Sequence, residues 1–346
     1  MTLTRRALAA VTLSAAMAPT AFAAQTKPIV IGHRGCSGER PEHTPMAYRR
    51  AIEQGADYIE PDLVATKDGH LVARHENEIG GTTDVAGHAE FAGRKTTKVI
   101  DGESIEGWFT EDFTLAELKT LRCRERLPQL RPENAKFDGQ EAICTFEEVV
   151  AIARAAGRPV GVYPEMKHPT HFAKVGLPLE DRLAGKLKAL DLNSKSALVF
   201  VQCFEVGALK TIRQKTKARL IQLIDAEGGP ADLPDLKYWE MLIPDGLKGI
   251  AAYADGIGPN RSLVVPDDGE ALMDPTTLVA RAHAAGLAVH PWTVRAENYF
   301  LPRTLRRGDD LRAHGDVAAV YRALFDAGVD GLFSDFPGLA VAARGA

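Results

Sequence analysis

Two histidines, three carboxylates, an arginine and a lysine stand in this chain where local context gives them a common task. His33 and Arg34 follow directly on the apolar run PIVI, with Gly35 and Gly38 free to turn the backbone behind them. Glu60 and Asp62 lie two apart in YIEPDLV, hence on one face of a strand, where two carboxylates among apolar neighbours repel and resist burial. A divalent cation bound by oxygen ligands is the simplest compensation. Glu165 in VGVYPEM adds a third carboxylate, and Lys167 follows it by two residues. A structural salt bridge accounts for that last pair but leaves Glu60 and Asp62 unpaired. His75 ends a short run after the turn Lys67-Asp68-Gly69 and can return to the face that carries His33. Histidine exchanges protons near neutral pH, and Arg34 and Lys167 suit phosphate oxygens. Together the set reads as metal-assisted phosphoryl chemistry with two-histidine acid-base catalysis.

These residues need elements to hold them. Eight β-rich runs are bounded by Gly, Pro or charged clusters, at 29–32, 58–64, 160–166, 198–204, 219–224, 256–259, 287–294 and 331–334. Amphipathic helical patterns alternate with them, at 45–54, 146–156, 179–190, 206–215, 275–285 and 316–327. Thr44-Pro45 reads as an N-cap and first helical residue, so HRGCSGERPEHT is a strand-to-helix loop. Alternation implies parallel pairing, and eight repeats suit an α/β fold of the closed (β/α)8 TIM barrel type, with a doubly wound open sheet as the other solution. From about 78 to 140 the chain is polar, glycine-rich and interrupted by Pro128 and Pro132, which predicts an insertion after the second strand. Such an insertion either caps the active face or elaborates the surface. The irregular stretch 295–315 follows the seventh strand.

Composition narrows the function classes. With 45% hydrophobic and 25% charged residues in 346, the chain is an ordinary globular one, and a net charge of -4 lacks the basic footprint of a nucleic-acid binder. A small-molecule partner fits better. Arg5 and Arg6, an apolar run over 7–18 and the small-residue site Ala21-Phe22-Ala23 predict a signal peptide cleaved after Ala23. Thr4-Arg5-Arg6 also admits the twin-arginine route, but an arginine pair serves the general secretion route equally well, which is the reading preferred. Residues 24–346 then form the mature domain, periplasmic or secreted, with no stable membrane insertion. In that oxidising compartment Cys123 and Cys144, which bracket one polar segment, are the pair expected to bridge.

HRGCSGERPEHT, IEPDLVATKDGHLVARHE, YPEMKHP, HPWTVR and GLFSDFP, in this order, resemble the glycerophosphodiester phosphodiesterase family, and its exported bacterial branch in particular. The resemblance spans nearly the whole mature chain. It implies a barrel that hydrolyses deacylated phospholipids to an alcohol and sn-glycerol 3-phosphate. By motif position it makes His33 and His75 the catalytic pair, and Glu60, Asp62 and Glu165 the ligands of one Ca2+ or Mg2+ ion. Arg34 and Lys167 hold the phosphate, and the substrate's glycerol 2-hydroxyl attacks phosphorus to give a cyclic phosphate that water opens. Gln202, Trp292 and Phe333 match positions that line the substrate pocket, although Trp292 and Phe333 serve equally well as barrel packing. Glu42 supports the loop, and His168, His171 and His290 are expected to be satisfied by neighbours. The chain departs from the family pattern at Cys36, at Glu76 where Asp is usual, and at Asn260 in GIGPN, where the lost acid bears on the preferred alcohol. Two other readings are an exported protein that captures glycerophosphodiesters without turnover and a related barrel phospholipase. The second catalytic histidine argues against the first, and the missing exposed apolar anchor against the second.

Overall fold

A computed structural model describes residues 27–345, so the expected signal peptide lies outside the described residues. Eight short strands form the barrel: β1 (Ile29–His33), β2 (Tyr58–Glu60 and Asp62–Ala65), β3 (Gly161–Val162 and Glu165–Met166), β4 (Phe200–Cys203), β5 (Arg219–Ile224), β6 (Gly256–Pro259), β7 (Ala288–Val289) and β8 (Gly331–Ser334). Each is parallel to its neighbours. The circle closes where Ile29 pairs with Gly331 and where Val294, beyond β7, bridges to Ser334. Closure excludes the open sheet. No helix among the described residues is long and apolar enough to cross a membrane.

Pro61 divides β2 because it has no N–H to give a neighbour, while its carbonyl still accepts from the Glu165 N–H at 3.0 Å. The register on either side of this break brings side chains to one rim. His33 lies opposite Glu60, Asp62 opposite Glu165, and Glu165 opposite Gln202. Inside the barrel Ile29, Ile31, Tyr58, Tyr163, Phe200, Ile221 and Phe333 pack together. Tyr163 stacks on Phe200 at 5.0 Å and its hydroxyl meets His290 Nδ1 at 2.8 Å, so His290 is satisfied within the core. The barrel is therefore filled, and chemistry is confined to its mouth.

Outside, Thr44 caps the helix Pro45–Glu53 by accepting from the Ala47 N–H, and Thr145 with Glu148 forms a capping box on Phe146–Arg154. The helix expected from 275 begins only at Leu278, because the Thr276 N–H and hydroxyl are both committed to carbonyls of 264 and 263. Helices Pro169–Lys174, Pro244–Ala251 and Pro337–Arg344 were not expected; each starts on a proline, which reads as a loop as readily as a helix start.

Between β2 and β3 the chain leaves the barrel. Leu71–Ala73 returns antiparallel to Asp62–Ala65, and a hairpin of Thr96–Ile100 and Glu103–Gly107 projects beyond it. Despite its polar composition this excursion buries Phe91, Phe113, Leu118 and Leu121 in the main hydrophobic core. The expected Cys123–Cys144 bridge is absent: all four cysteines are buried thiols. Cys123 Sγ instead accepts from Arg74 Nη2 at 3.0 Å, and burial pushes both thiols up, which keeps them protonated.

Candidate active site

The loop after β1 is shaped by backbone geometry before any side chain acts. Arg34 adopts φ +57°, which turns its N–H onto Glu60 Oε2 at 2.8 Å. Gly35 follows at φ +85°, where a Cβ would meet the Ala47 backbone at 2.6 Å, so only glycine fits between loop and helix. Nine of the ten expected site residues line one cavity of about 260 Å³ at the barrel mouth, joined by Phe204, Leu223 and Asp225. The tenth, Asp62, is buried and does not line it.

One oxygen from each of Glu60, Asp62 and Glu165 lies within 4.8 Å of the others, all three residues being buried. Their partners differ. Asp62 accepts from His43 Nε2 at 2.9 Å and pairs with Arg34 Nε at 3.2 Å, which corrects the expectation that it is unpaired. Burial pushes its carboxyl up, but the His43 hydrogen bond and the Arg34 charge hold it well below the usual range. Glu165 pairs with Lys167 Nζ at 3.2 Å; burial nevertheless raises it to about 8, with Asp62 adding to the rise against the Lys167 charge. Glu60 has no salt-bridge partner among the described residues. Its carboxylate takes only the Arg34 N–H and Gln202 Nε2 at 3.2 Å, and burial with the Asp62 and Glu165 charges pushes it well up. Three crowded acids with one uncompensated member suit a hard cation.

Both proton-transfer candidates are braced in the same way. His33 Nδ1 lies 2.6 Å from Asp335 Oδ1, and His75 Nδ1 lies 2.8 Å from Glu76 Oε1, so in each ring Nε2 is the nitrogen left for exchange. Burial, then Arg34, lowers His33 to about 4; burial, then Arg34 and Lys167, lowers His75 to about 3. Arg34 Nη1 also donates to Glu42 at 3.0 Å, where Glu42 supports the loop as expected.

Asp335, His43, Arg131 and Arg295 were not read from the sequence. Arg131, on the excursion between β2 and β3, joins Asp335 Oδ2 and Glu297 Oε1, each at 2.6 Å, and donates to the Ser37 carbonyl at 2.9 Å. Arg295 Nε reaches Asp335 at 3.1 Å. Asp335 was findable, since it directly follows β8 just as Arg34 follows β1. Trp292 and Phe333 turn out to be both packing and lining: Phe333 meets Tyr163 at 5.0 Å edge-on, Trp292 packs against Phe204 at 5.6 Å, and both border the cavity. At the position of the missing acid, Asn260 Nδ2 donates to Asp225 Oδ1 at 3.0 Å, so a carboxylate from the end of β5 faces the cavity there. His171 bonds Glu111 at 2.7 Å, away from the cavity.

Comparison with known proteins shows the family and the fold. Residues 33–339 match the model of the glycerophosphoryl diester phosphodiesterase family. The chain is 39% identical to glycerophosphodiester phosphodiesterase GDPD6 of Arabidopsis thaliana, over 90% of this chain and 85% of that one. It is 31% identical to a glycerophosphodiester phosphodiesterase of Haemophilus influenzae, over 89% and 87%. In fold it resembles an Oleispira antarctica phosphodiesterase solved with the product sn-glycerol-3-phosphate, with a TM-score of 0.60 at 20% identity, over 92% of this chain and 98% of that one.

Proposed function

Because the chain belongs to the glycerophosphoryl diester phosphodiesterase family, we propose that His33 and His75 move the protons in its hydrolysis of glycerophosphodiesters while Glu60, Asp62 and Glu165 hold one Ca2+ or Mg2+ ion. The chain is an enzyme of phosphodiester hydrolysis, like its named relatives. One observation carries the mechanistic reading: two imidazoles, each with a carboxylate on Nδ1, open onto the same cavity as Glu60 and Glu165. A protein that only captured its ligand has no use for the second imidazole.

Arg34 and Lys167 offer N–H groups to the phosphate oxygens. One imidazole takes the proton of the glycerol 2-hydroxyl as that oxygen bonds to phosphorus. The other gives a proton to the departing alcohol oxygen as its P–O bond breaks. Water then bonds to phosphorus, the ring P–O bond of the cyclic phosphate opens, and the protons return in the opposite sense, leaving sn-glycerol 3-phosphate. The phosphodiester's own negative charge raises the proton affinity of the ring beside it, which counters the low resting values of both histidines. When bound, the cation supplies positive charge to the phosphoryl oxygens as negative charge builds there. Gln202 Oε1, buried without a hydrogen-bond partner among the described residues, accepts from a substrate hydroxyl, with Trp292 and Phe333 as the apolar walls. Export of the mature chain, proposed from its first 23 residues, places this activity on small soluble substrates in the periplasm or outside the cell.

The test is a panel of glycerophosphodiesters incubated with purified protein, with and without chelator. Release of alcohol and sn-glycerol 3-phosphate should stop on chelation and return with Ca2+ or Mg2+. Full turnover in protein shown metal-free by elemental analysis removes the cation from the mechanism, and binding without product release returns the protein to the class of capture proteins.

A further inference from the structure

The line of close polar contacts that begins at His75 does not stop at Glu76. Glu76 presents Oε1 to His75 Nδ1 at 2.8 Å and Oε2 to His168 Nε2 at 2.9 Å, and His168 Nδ1 lies 2.6 Å from Asp101 Oδ2. Three segments distant in sequence thus meet in one line. His75 and Glu76 follow the strand Leu71–Ala73, His168 follows β3, and Asp101 is the turn between Thr96–Ile100 and Glu103–Gly107. His168 and Asp101 both sit in the left-handed region, at φ +49° and +48°. Asp and His are among the non-glycine residues that take up this conformation most readily, and it turns the chain at both positions.

Chemistry fixes the direction of the two hydrogen bonds at His168. The His168 ring has a carboxylate on each nitrogen, so both nitrogens must donate, and the ring is an imidazolium. Burial opposes that charge, but Asp101 and then Glu76 raise the ring to about 9 against the neighbouring Lys167. Glu76 must then accept at both oxygens. With an accepting carboxylate oxygen 2.8 Å away, the neutral His75 ring is favoured with its proton on Nδ1 and its Nε2 lone pair toward Lys167 Nζ, at 3.5 Å. Without His168 the Glu76 side chain, 41% exposed, has nothing to hold its second oxygen.

We infer that His168, pinned by Asp101, is a positioning residue that locks Glu76 and through it the Nδ1–H tautomer of His75. The excursion between β2 and β3 thereby reaches the reaction through a residue that never touches substrate. This inference rests on the reading that His75 transfers a proton. His168→Gln and Asp101→Asn in the full-length enzyme test it, with His75→Ala alongside. His168→Gln should lower kcat by about 10-fold, the lower end for loss of a supporting hydrogen bond, and leave KM for glycerophosphocholine unchanged. Asp101→Asn should act in the same direction, more weakly. In ¹⁵N-labelled protein the His75 ring should show one Nδ1–H tautomer in the parent and a mixture in His168→Gln. A fall in kcat with the His75 tautomer unchanged overturns the inference, as does unchanged kcat in both variants. If His168→Gln does not fold, Asp101→Asn at the partly exposed hairpin turn decides by the same two readouts. An active His75→Ala enzyme removes the premise itself, whereas an inactive one beside an unaffected His168→Gln removes only this inference.

Discussion

At the scale of the residue, the two histidines differ in surroundings but share a brace, and that symmetry predicts separate necessity. Removing a proton from the attacking hydroxyl and protonating the leaving oxygen are two tasks, and one imidazole cannot hold both states at once. His33→Ala and His75→Ala should each reduce kcat by about 10²- to 10⁴-fold. The double variant should fall by less than the product, because the pair acts as a unit. Steady-state kinetics across pH checks this, with a bell-shaped parent profile whose limbs belong to the pair rather than to either ring. Near-normal kcat in His75→Ala would return it to an ordinary strand-end residue. The five carboxylate and basic residues at the ends of β1, β2 and β3 were legible because charge beside an apolar run is anomalous wherever it occurs. His43 was not, since its part is defined by Asp62, 19 residues on, and by Tyr48 at its other nitrogen.

At the scale of the element, the barrel strands were legible because a buried parallel strand is a short apolar run with punctuation at both ends. The excursion between β2 and β3 was visible only as a departure from that rhythm. Its polar composition conceals apolar residues, among them Phe91 and Phe113 in edge contact at 5.0 Å, that join the main core. Its polar residues conceal Arg131, whose partner Asp335 is 204 residues away and leaves no local trace. Arg131 is 5% exposed and holds two carboxylates, so Arg131→Ala leaves Asp335 and Glu297 short of a buried cation. Removing one partner of such a pair costs about 3–5 kcal/mol. Urea unfolding should show that loss, and kcat should fall with it because His33 loses a fixed Asp335. A variant as stable and as active as the parent would mean that the excursion is a surface elaboration after all.

At the scale of the whole molecule, the described chain is one closed barrel, and the proposal of export concerns only what precedes it. If the first 23 residues are a signal peptide, protein recovered from the periplasm of an expressing bacterium should begin at Ala24 by N-terminal sequencing. An intact Met1 in the cytosolic fraction alone counts against it. The closure of the barrel has a further consequence. Ile29 finds its partner in Gly331, and His33 finds its carboxylate in Asp335, 302 residues downstream. The closure of the ring and the brace on His33 therefore both depend on the C-terminal strand lying beside the N-terminal one. If His33 moves a proton as proposed, a chain shortened before Asp335 should lack activity even where most of its core is buried.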